Sequence, residues 1–395
     1  MEPTCFYWQH HELGPVLGVG LTAELKLDHQ FDQTLVQDFM AAHKGHYIFG
    51  YLSYDLKNSF EALASENPEK LNFPALHFWV PESLYQLKEK PSLIWGLAQQ
   101  ENQDLAQKFL DLFEDKNSRI SANFQARTTK NRYVDQFEKL KNALQRGDIY
   151  EVNYCQEFHI ENHELANPVG LFGRLSELTK APHAAFLQTN DHVVLCASPE
   201  RFMQKKGPLL RSEPIKGTAP RSEDKAQDQQ IATALQNNPK ERAENIMIVD
   251  LMRNDLGMIC ESGSVEVTQL LYSQDHPGLQ HLVSDVEGNL LDGISWSEIF
   301  NAISPPGSVS GAPKSSALST ISDNENPRGP YCGILGWVHG ERAELSVAIR
   351  IFWKDEKLHF GTGAGITFSS DSQKEWEETE LKASRLIKIA CGVQR

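Results

Sequence analysis

The sequence predicts an α+β protein with extensive antiparallel sheet. Near the C-terminus, every second residue along one strand is large and apolar: Leu345, Val347, Ile349, Ile351 and Trp353. Residues 354–357 then turn the chain into a second strand, Leu358 to Phe360. Helical segments accompany these strands, and one of them repeats apolar residues at helical spacing: Tyr133, Phe137, Leu140 and Leu144.

The N-terminal third mixes strand and helix. Residues 46–54 form an aromatic strand, and a loop at residues 115–118 precedes a boundary near Thr128. We therefore divide the chain into an N-terminal α+β region, residues 1–125, packed closely on the rest, and a C-terminal region, residues 126–395.

Helix boundaries are marked in the C-terminal region. Gly147 ends the helix that carries the apolar repeat, and Asn238–Pro239 supplies an N-cap and a first-turn proline for another. That second helix contains the run Ile-Met-Ile-Val (246–249), which is apolar nearly all round and predicts deep burial. The last helix opens with a capping box, Ser372-x-x-Glu375.

Composition argues against several classes of function. The formal net charge is −15, so a surface for nucleic acid or for an anionic membrane is not expected. No apolar run approaches the roughly 18 residues of a membrane span, and residues 1–4 lack the basic start of a signal peptide. The six dispersed cysteines are typical of reduced core residues in a cytoplasmic protein. An anionic ligand would need local positive charge from a metal ion, Lys or Arg, or backbone N–H groups.

Lys216 and Glu200 are the first candidate site residues. Lys216 lies in the segment 214–221, where glycine and prolines favour a tight, rigid backbone. A lysine buried there can lose its proton and act as a nucleophile, but the segment alone fits a surface lysine in a turn better. Glu200 follows a short buried strand at residues 192–196. It is either a general acid or base, or the partner of Arg201 or Arg211 in a structural ion pair.

Two pairs of glutamates are candidate metal ligands. Glu241 and Glu244 stand three apart on one predicted helix, as do Glu375 and Glu378 on the last one. This spacing places both carboxylates on one helix face, about 5–6 Å apart at Cβ, where a cation offsets their repulsion. Carboxylates from separate helices suit Mg2+, which keeps positions open for water or substrate oxygens. The alternative is a capping or solvated role, which is stronger for Glu375 than for Glu244.

Two further features favour binding of an anion, and a histidine is a third candidate; each has an ordinary structural alternative. Arg350 lies on the C-terminal strand beside small residues that leave room for a carboxylate, although a strand arginine facing water has the same pattern. The loop Gly361–Gly365 can present backbone N–H groups, although close packing also needs glycine. His281 is more often a core histidine than a catalyst.

The order of nine segments along the chain resembles the chorismate-utilising enzymes, a family that includes anthranilate synthase component I, aminodeoxychorismate synthase component I and the isochorismate and salicylate synthases. The segments are GDIY (147–150), SPERF (198–202), PIKGTAPR (214–221), ENIMIVDLMRNDLG (244–257), HLVS (281–284), GSVSGAPK (307–314), the strand ending at Arg350, GAGI (363–366) and EWEET (375–379). A weaker match in the N-terminal region is GYLSYDLKNSFE (50–61). The resemblance implies large antiparallel sheets packed as a sandwich and surrounded by helices, with residues 126–395 as the chorismate-binding catalytic region.

Lys216 implies one branch of this family. Anthranilate synthases carry PIAGT where aminodeoxychorismate synthases carry PIKGT, and this chain has the lysine. The resemblance therefore implies amination of chorismate at C4, in which Lys216 adds at C2 as the C4 hydroxyl leaves with help from Glu200, and ammonia then displaces the lysine. It also implies Mg2+ as cofactor and a glutamine amidotransferase partner as the ammonia source, since the chain shows no Cys/His/Glu constellation of its own.

The resemblance assigns the remaining candidates to metal and substrate. The implied metal site comprises Glu241, Glu244, Glu375 and Glu378, of which Glu244 and Glu378 bind Mg2+ directly. The implied substrate-binding residues are Thr218, His281, Ser308, Arg350, Gly363, Gly365 and Lys382. Among them, Arg350 and the two glycine backbones hold the enolpyruvyl carboxylate, and His281 is a polar wall.

One residue departs from the family pattern, and two rival functions stay open. After GDIY the family usually has glutamine and the isochorismate branch has lysine, whereas this chain has Glu151, which argues against the isochorismate branch. The nearest rival is anthranilate synthase component I. The other is a non-catalytic chorismate-binding scaffold, which has no physical need for Lys216, the glutamates and Arg350 together.

Overall fold

Two large antiparallel sheets face each other across a shared hydrophobic core. The computed structural model describes residues 4–61, 63, 71–115, 117–161, 165–276 and 278–392. The strands in these residues are β1 (Cys5–His10), β2 (Gly14–Val19), β3 (Ala23–Leu27), β4 (Ile48–Leu52), β5 (Leu76–Val80), β6 (Ser83–Gln86), β7 (Ser92–Gly96), β8 (Gln125–Ala126), β9 (Glu151–Ile160), β10 (His183–Gln188), β11 (Val193–Ser198), β12 (Arg201–Lys206), β13 (Leu209–Ser212), β14 (Ile215–Pro220), β15 (Glu266–His276), β16 (Leu279–Asn289), β17 (Gly311–Ala312), β18 (Ile334–His339), β19 (Arg342–Val347), β20 (Ile351–Lys354) and β21 (Leu358–Thr367).

Helices cover the sheets. They are α1 (Gln33–Ala42), α2 (Lys57–Phe60), α3 (Gln100–Glu114), α4 (Lys130–Arg146), α5 (Pro168–Thr179), α6 (Lys225–Asn237), α7 (Pro239–Gly257), α8 (Trp296–Ile303), α9 (Lys314–Asn324) and α10 (Ser372–Cys391). Short 3-10 turns occur at Tyr54–Leu56 and Gly307–Val309. In the described part of the chain, no helix combines the length and the apolar character needed to cross a membrane.

Each sheet combines strands from both parts of the chain. Within the described residues, sheet A has 11 strands in the order β17-β9-β21-β20-β11-β10-β1-β2-β6-β7, with β8 beside β9. In the same part of the chain, sheet B has 10 strands in the order β14-β16-β13-β12-β19-β18-β4-β5-β3, with β15 beside β16. Strands from residues 1–125 therefore lie in the same two sheets as strands from residues 126–395. The predicted α+β class and the sandwich of large antiparallel sheets are confirmed.

Strand β1 shows how alternation builds two cores. Phe6 and Trp8 face the core between the sheets, whereas Cys5 and Tyr7 face the outer side of sheet A. There the Tyr7 ring packs on aromatic rings from α3 and α5. Because both faces of β1 are buried, its first four residues are all apolar and show no alternation with polar ones.

The chain passes from sheet B to sheet A between β19 and β20. The predicted continuous strand through Leu345 and Trp353 is therefore wrong, because β19 ends at Val347 in one sheet and β20 begins at Ile351 in the other. Arg350 lies in the connection with a φ of 52°, in the left-handed region that residues other than glycine rarely adopt. The apolar alternation continues through the break because both strands contribute to the same core.

Helix α7 begins as predicted but is buried on one side only. The Asn238 side chain accepts hydrogen bonds from the first-turn N–H groups, as predicted, and Pro239 follows it. The prediction of deep burial all round is wrong, since Ile246 is 39% exposed. The residue before it, Asn245, is buried instead, and its side chain donates to the Leu282 carbonyl at 3.2 Å. A polar residue is therefore inside the core and an apolar one outside it.

The caps of two other helices were also predicted from the sequence. Gly147 caps α4 with a φ of 80°, as predicted. The predicted capping box of α10, Ser372-x-x-Glu375, is wrong. The N-cap is Asp371, whose side chain accepts a hydrogen bond from the N–H of Lys374. Glu375 is thereby free of a capping role.

Arg328 connects the two sheets from inside. Its buried guanidinium lies 4.1 Å from the centroid of the Tyr54 ring, next to sheet B, and donates to the Asn153 carbonyl of sheet A at 2.7 Å. It also pairs with the buried carboxylate of Glu325 at 2.8 Å. Burial raises the pKa of Glu325, and the Arg328 charge opposes that rise.

Arg328→Ala is expected to lower the free energy of unfolding by about 3–5 kcal/mol, because the buried carboxylate of Glu325 loses its countercharge. Urea denaturation at neutral pH measures the change. The control is Arg342→Ala, whose partner Glu12 is exposed, and it should change stability by less than about 1 kcal/mol. Equal losses in the two variants would contradict the prediction.

Candidate active site

The candidate site lies where one end of sheet A meets one end of sheet B. Strands β17, β9 and β21 form that end of sheet A, and β14 and β16 form that end of sheet B. Helices α7 and α10 contribute the predicted glutamates beside it.

A β-bulge places Lys216 in the site. Residues 215–218 of β14 lie opposite residues 281–283 of β16, so β14 holds one extra residue here. Gly217 adopts a φ of 83°, which a side chain would oppose. The Lys216 side chain is only 13% exposed. The alternative of a surface lysine in a turn is therefore wrong.

Glu151 is the hydrogen-bonding partner of Lys216. It is the first residue of β9, is 1% exposed, and its Oε1 accepts from Lys216 Nζ. Burial lowers the pKa of Lys216, but the carboxylates of Glu151, Glu244 and Glu200 raise it, so the net direction is upward. The prediction that burial releases the lysine proton is wrong, because the amine lies against a buried carboxylate. Sequence analysis singled out Glu151 but assigned it no role.

Glu200 is a buried carboxyl with a raised pKa. Burial raises its pKa to about 7, against the opposing effects of a hydrogen bond from Ser308 and the charge of Lys216. Such a group donates and accepts a proton at neutral pH, which suits a general acid. The alternative of an ion pair with Arg201 or Arg211 is wrong, since Arg201 pairs with Glu213 and Arg211 with Glu213 and Asp285.

The four predicted glutamates all act electrostatically on a lysine that sequence analysis missed. Burial lowers the pKa of Lys240, and the carboxylates of Glu244, Glu375, Glu241 and Glu378 together raise it above its ordinary value. Lys240 Nζ lies 3.7 Å from Glu244 Oε1. Burial also raises the pKa of Glu244 to about 7. The i, i+4 spacing of Lys240 and Glu244 was the available indication.

These carboxylates fit a divalent cation in charge and in ligand type. Glu244 Oε1 is buried without a hydrogen-bond donor among the described residues, and carboxylate oxygens are the ligands that Mg2+ prefers. Lys240 supplies positive charge, and Lys382 contacts Glu378 at 2.8 Å. Over the described ranges, no three Asp, Glu, His or Cys side chains converge at metal-binding separations. The magnesium site stays a prediction.

Arg350, His281 and Thr218 form another part of the site. The Thr218 hydroxyl lies 3.0 Å from His281 Nδ1, and His281 Nε2 is buried without a partner among the described residues. Burial lowers the pKa of His281 to about 3, with Arg350 adding positive charge nearby. The Arg350 guanidinium makes no hydrogen bond or ion pair with any described residue, and burial lowers its pKa. A neutral imidazole beside an unpaired cation suits a bound carboxylate.

The glycines predicted to form a loop lie instead within strand β21. Gly363 pairs with Cys155 and Gly365 with Asn153 of β9. Cys155 and Asn153 donate their backbone N–H groups to residues outside β21. In an antiparallel ladder the opposite residues then also point their N–H groups away from β9. Pairing with β20 ends at Phe360, so neither glycine N–H has a ladder partner among the described strands.

Short distances link the remaining predicted residues. A Cβ built on Gly365 would lie 3.7 Å from Lys216 Nζ, and one built on Gly217 would lie 2.8 Å from Glu241 Oε2. Lys382 Nζ donates to the Gly363 carbonyl at 2.8 Å. Every predicted site residue is thus a neighbour of another, and the site combines a buried amine, a buried carboxyl, a group of glutamates and a cationic corner at Arg350. The roles of these residues stay predictions.

Comparison with known proteins identifies the family of this chain. A family model described as chorismate binding enzyme matches residues 3–388. The chain belongs to the chorismate binding enzyme family. The resemblance found in the sequence is confirmed.

Curated chorismate binding enzymes similar to this chain include component 1 of aminodeoxychorismate synthases and component 1 of anthranilate synthases. The chain is 36% identical over 272 residues to aminodeoxychorismate synthase component 1 of Salmonella typhimurium, covering 68% of this chain and 60% of that protein. It is 30% identical over 382 residues to the Bacillus subtilis protein of that name, covering 92% and 78%. Anthranilate synthase component 1 of Thermus thermophilus is 30% identical over 359 residues, covering 86% and 76%. The Salmonella match therefore spans less than two-thirds of that relative's length.

Solved chorismate binding enzymes share the fold. Anthranilate synthase component I from Streptococcus pneumoniae superposes with a TM-score of 0.80 at 26% identity, covering 94% of this chain and 91% of that one. The menaquinone-specific isochorismate synthase from Escherichia coli gives 0.77 at 19% identity, covering 99% and 89%. The second similarity concerns the fold alone.

Proposed function

We propose that this chain is a Mg2+-dependent aminodeoxychorismate synthase, which aminates chorismate at C4 through a covalent bond to Lys216. The observation that carries the proposal is a buried lysine amine beside Glu200, a carboxyl with a pKa of about 7. Relatives named aminodeoxychorismate synthase component 1 support the choice of branch. The anthranilate synthase branch is the rival, and Lys216 argues against it.

In the first displacement the neutral Lys216 amine forms a bond to C2 of the ring. The π electrons of C1=C2 and C5=C6 shift to C1=C6 and C4=C5, and the C4 hydroxyl leaves as water with a proton from Glu200. In the second displacement ammonia forms a bond to C4, the electrons return, and the C2–N bond breaks to release the lysine. Glu200 then takes a proton from the new ammonium group, so that its starting state is restored.

The other residues bind and orient the two substrate carboxylates. Arg350 and the N–H groups of Gly363 and Gly365 bind the enolpyruvyl carboxylate, near Thr218, Ser308 and the imidazole wall of His281. Glu244 and Glu378, supported by Glu241 and Glu375, would hold Mg2+, which supplies positive charge for the ring carboxylate. Lys382 adds a further cation beside Glu378.

Ammonia comes from a glutamine amidotransferase partner in this proposal. The component 1 names of the relatives support a second component. A cytoplasmic location forms part of the proposal, and the six free thiols support it.

The test is to incubate the purified protein with chorismate, Mg2+ and ammonium, and to identify the product. We expect 4-amino-4-deoxychorismate, recognised by mass and by conversion to 4-aminobenzoate with an added lyase. Removal of Mg2+ with EDTA should stop the reaction. Anthranilate or isochorismate as product would overturn the choice of branch.

The raised pKa of Glu200 predicts how the first displacement depends on pH. The acid form donates the proton and predominates below its pKa of about 7, so, when the Lys216 proton moves within the site and not to solvent, the rate should fall about tenfold per pH unit above that value. Glu200→Gln should remove this fall and slow adduct formation by about 10²–10⁴-fold. Rapid-quench measurement of the adduct without ammonia tests both statements. A wild-type rate that stays level up to about pH 9 would contradict them.

A further inference from the structure

The mechanism above needs a neutral Lys216 amine, yet the structure pairs this lysine with a buried carboxylate. Glu151 Oε1 accepts a hydrogen bond from Lys216 Nζ, and both side chains are largely shielded from solvent. A buried ion pair holds the proton on the amine, where the lone pair needed for attack is blocked. The proton must therefore leave Nζ before the carbon–nitrogen bond forms.

We propose that Glu151 is the catalytic base of this site, which accepts the proton of Lys216 and holds it through both displacements. The inference rests on the proposed function and adds a residue to it. Glu151 touches the reacting atom Nζ, and the existing hydrogen bond is the path of the proton.

The surroundings of Glu151 favour this role. Its second oxygen, Oε2, is buried without a partner among the described residues, so no hydrogen bond there competes with the one from Lys216. Gly365 leaves space for the carboxylate, since a Cβ there would lie 2.9 Å from Oε1. When substrate covers the site, moving the proton from Nζ to Oε1 replaces two buried charges with two neutral groups.

The other carboxylates near Lys216 have different partners or a different role in the reaction. The charged groups that face Lys216 are Glu151, Glu244 and Glu200. Glu200 accepts a hydrogen bond from Ser308 and must carry its own proton for the leaving hydroxyl. Glu244 interacts with the charge of Lys216, but its ion-pair partner is Lys240 on α7 at 3.7 Å, whereas the ion-pair partner of Lys216 is Glu151. Among the described residues, Glu151 is left as the base in direct contact.

The proton balance of the reaction closes with this assignment. One proton moves from Nζ to Glu151 before attack, and the neutral amine forms the bond to C2 and becomes a secondary ammonium group. Ammonia displaces it from C4, and the lysine leaves as a neutral amine. Glu151 then returns its proton to Nζ, while Glu200 supplies and recovers the proton of the C4 chemistry. The net change is chorismate plus ammonia to aminodeoxychorismate plus water.

The pH profile of adduct formation tests the proposal. In the wild type the proton transfer is internal, so the rate should be level between about pH 5.5 and 7. Glu151→Gln has the same shape but accepts no proton, so its lysine must lose a proton to solvent. Its rate should rise about tenfold per pH unit over that interval. Glu151→Asp keeps the carboxylate and should keep the level profile at a lower rate.

Glu161→Gln is the matched control, because Glu161 pairs with Lys357 on the exposed surface just after β9. It should reproduce the wild-type profile. A level profile in folded Glu151→Gln would overturn the role of Glu151 alone, and so would a rising profile in the wild type or in Glu151→Asp. If Glu151→Gln does not fold, the aspartate variant decides. A wild type that forms no adduct at any pH would overturn the proposed function itself.

Discussion

Lys216→Ala is expected to eliminate the covalent adduct and to slow formation of 4-amino-4-deoxychorismate on the order of 10³-fold. The alanine variant has no nucleophile for C2, and residual turnover reflects substrate binding and the acid Glu200 alone. Intact-protein mass spectrometry without ammonia should show the wild type heavier by chorismate less one water. A steady-state assay with ammonium gives the loss of rate.

Two controls separate loss of the nucleophile from loss of the charge. Lys216→Arg keeps a cation opposite Glu151 but no nucleophilic amine at neutral pH, so it should be as inactive as the alanine variant. Lys206→Ala removes an exposed lysine of β12 and should leave the rate unchanged. An arginine variant within about tenfold of the wild type would contradict the covalent route.

Arg350→Ala should raise the KM for chorismate by about 100-fold, because the enolpyruvyl carboxylate loses a largely buried cation that has no partner among the described residues. Steady-state kinetics at saturating ammonium measure the change. The variant leaves no buried carboxylate unpaired, so the fold should persist.

Arg350→Gly gives a sharper version of the same test. Glycine adopts the φ of 52° without strain, so this variant should lose chorismate affinity as the alanine variant does, while its melting temperature stays at or above that of the wild type. Unchanged KM in both variants would remove Arg350 from the substrate site. A fall in melting temperature for glycine would contradict the strain argument.

Local periodicity predicted most elements but not which sheet each strand joins. The alternation from Leu345 to Trp353 is real, yet it crosses from one sheet to the other at Arg350. Both strands face one core, so the pattern of burial is continuous and the break leaves no trace in it. The glycines near Gly363 show the same limit, because the opposite strand β9 begins more than 200 residues earlier in the chain.

At the site, the sequence predicted a role for each candidate residue. Burial and neighbouring charges determine the ion pairs and the pKa of these residues. The sequence fits Glu200 both as a general acid or base and as the partner of an arginine. The pairing of Arg201 with Glu213 argues against the second interpretation. The contact between Glu151 and Lys216 joins residues 65 positions apart, and the reversal of the lysine's expected pKa depends on it. Periodicity carries no information about such a contact.

The passage of the chain between the sheets at Arg350 has a consequence for motion. Lys216 lies on sheet B, Gly363 lies on sheet A, and Arg350 lies in the connection between β19 and β20. A ligand that engages all three couples the two layers and opposes their sliding. Amide hydrogen exchange along β14 and β21 should therefore slow on binding chorismate, even at residues that the ligand does not touch.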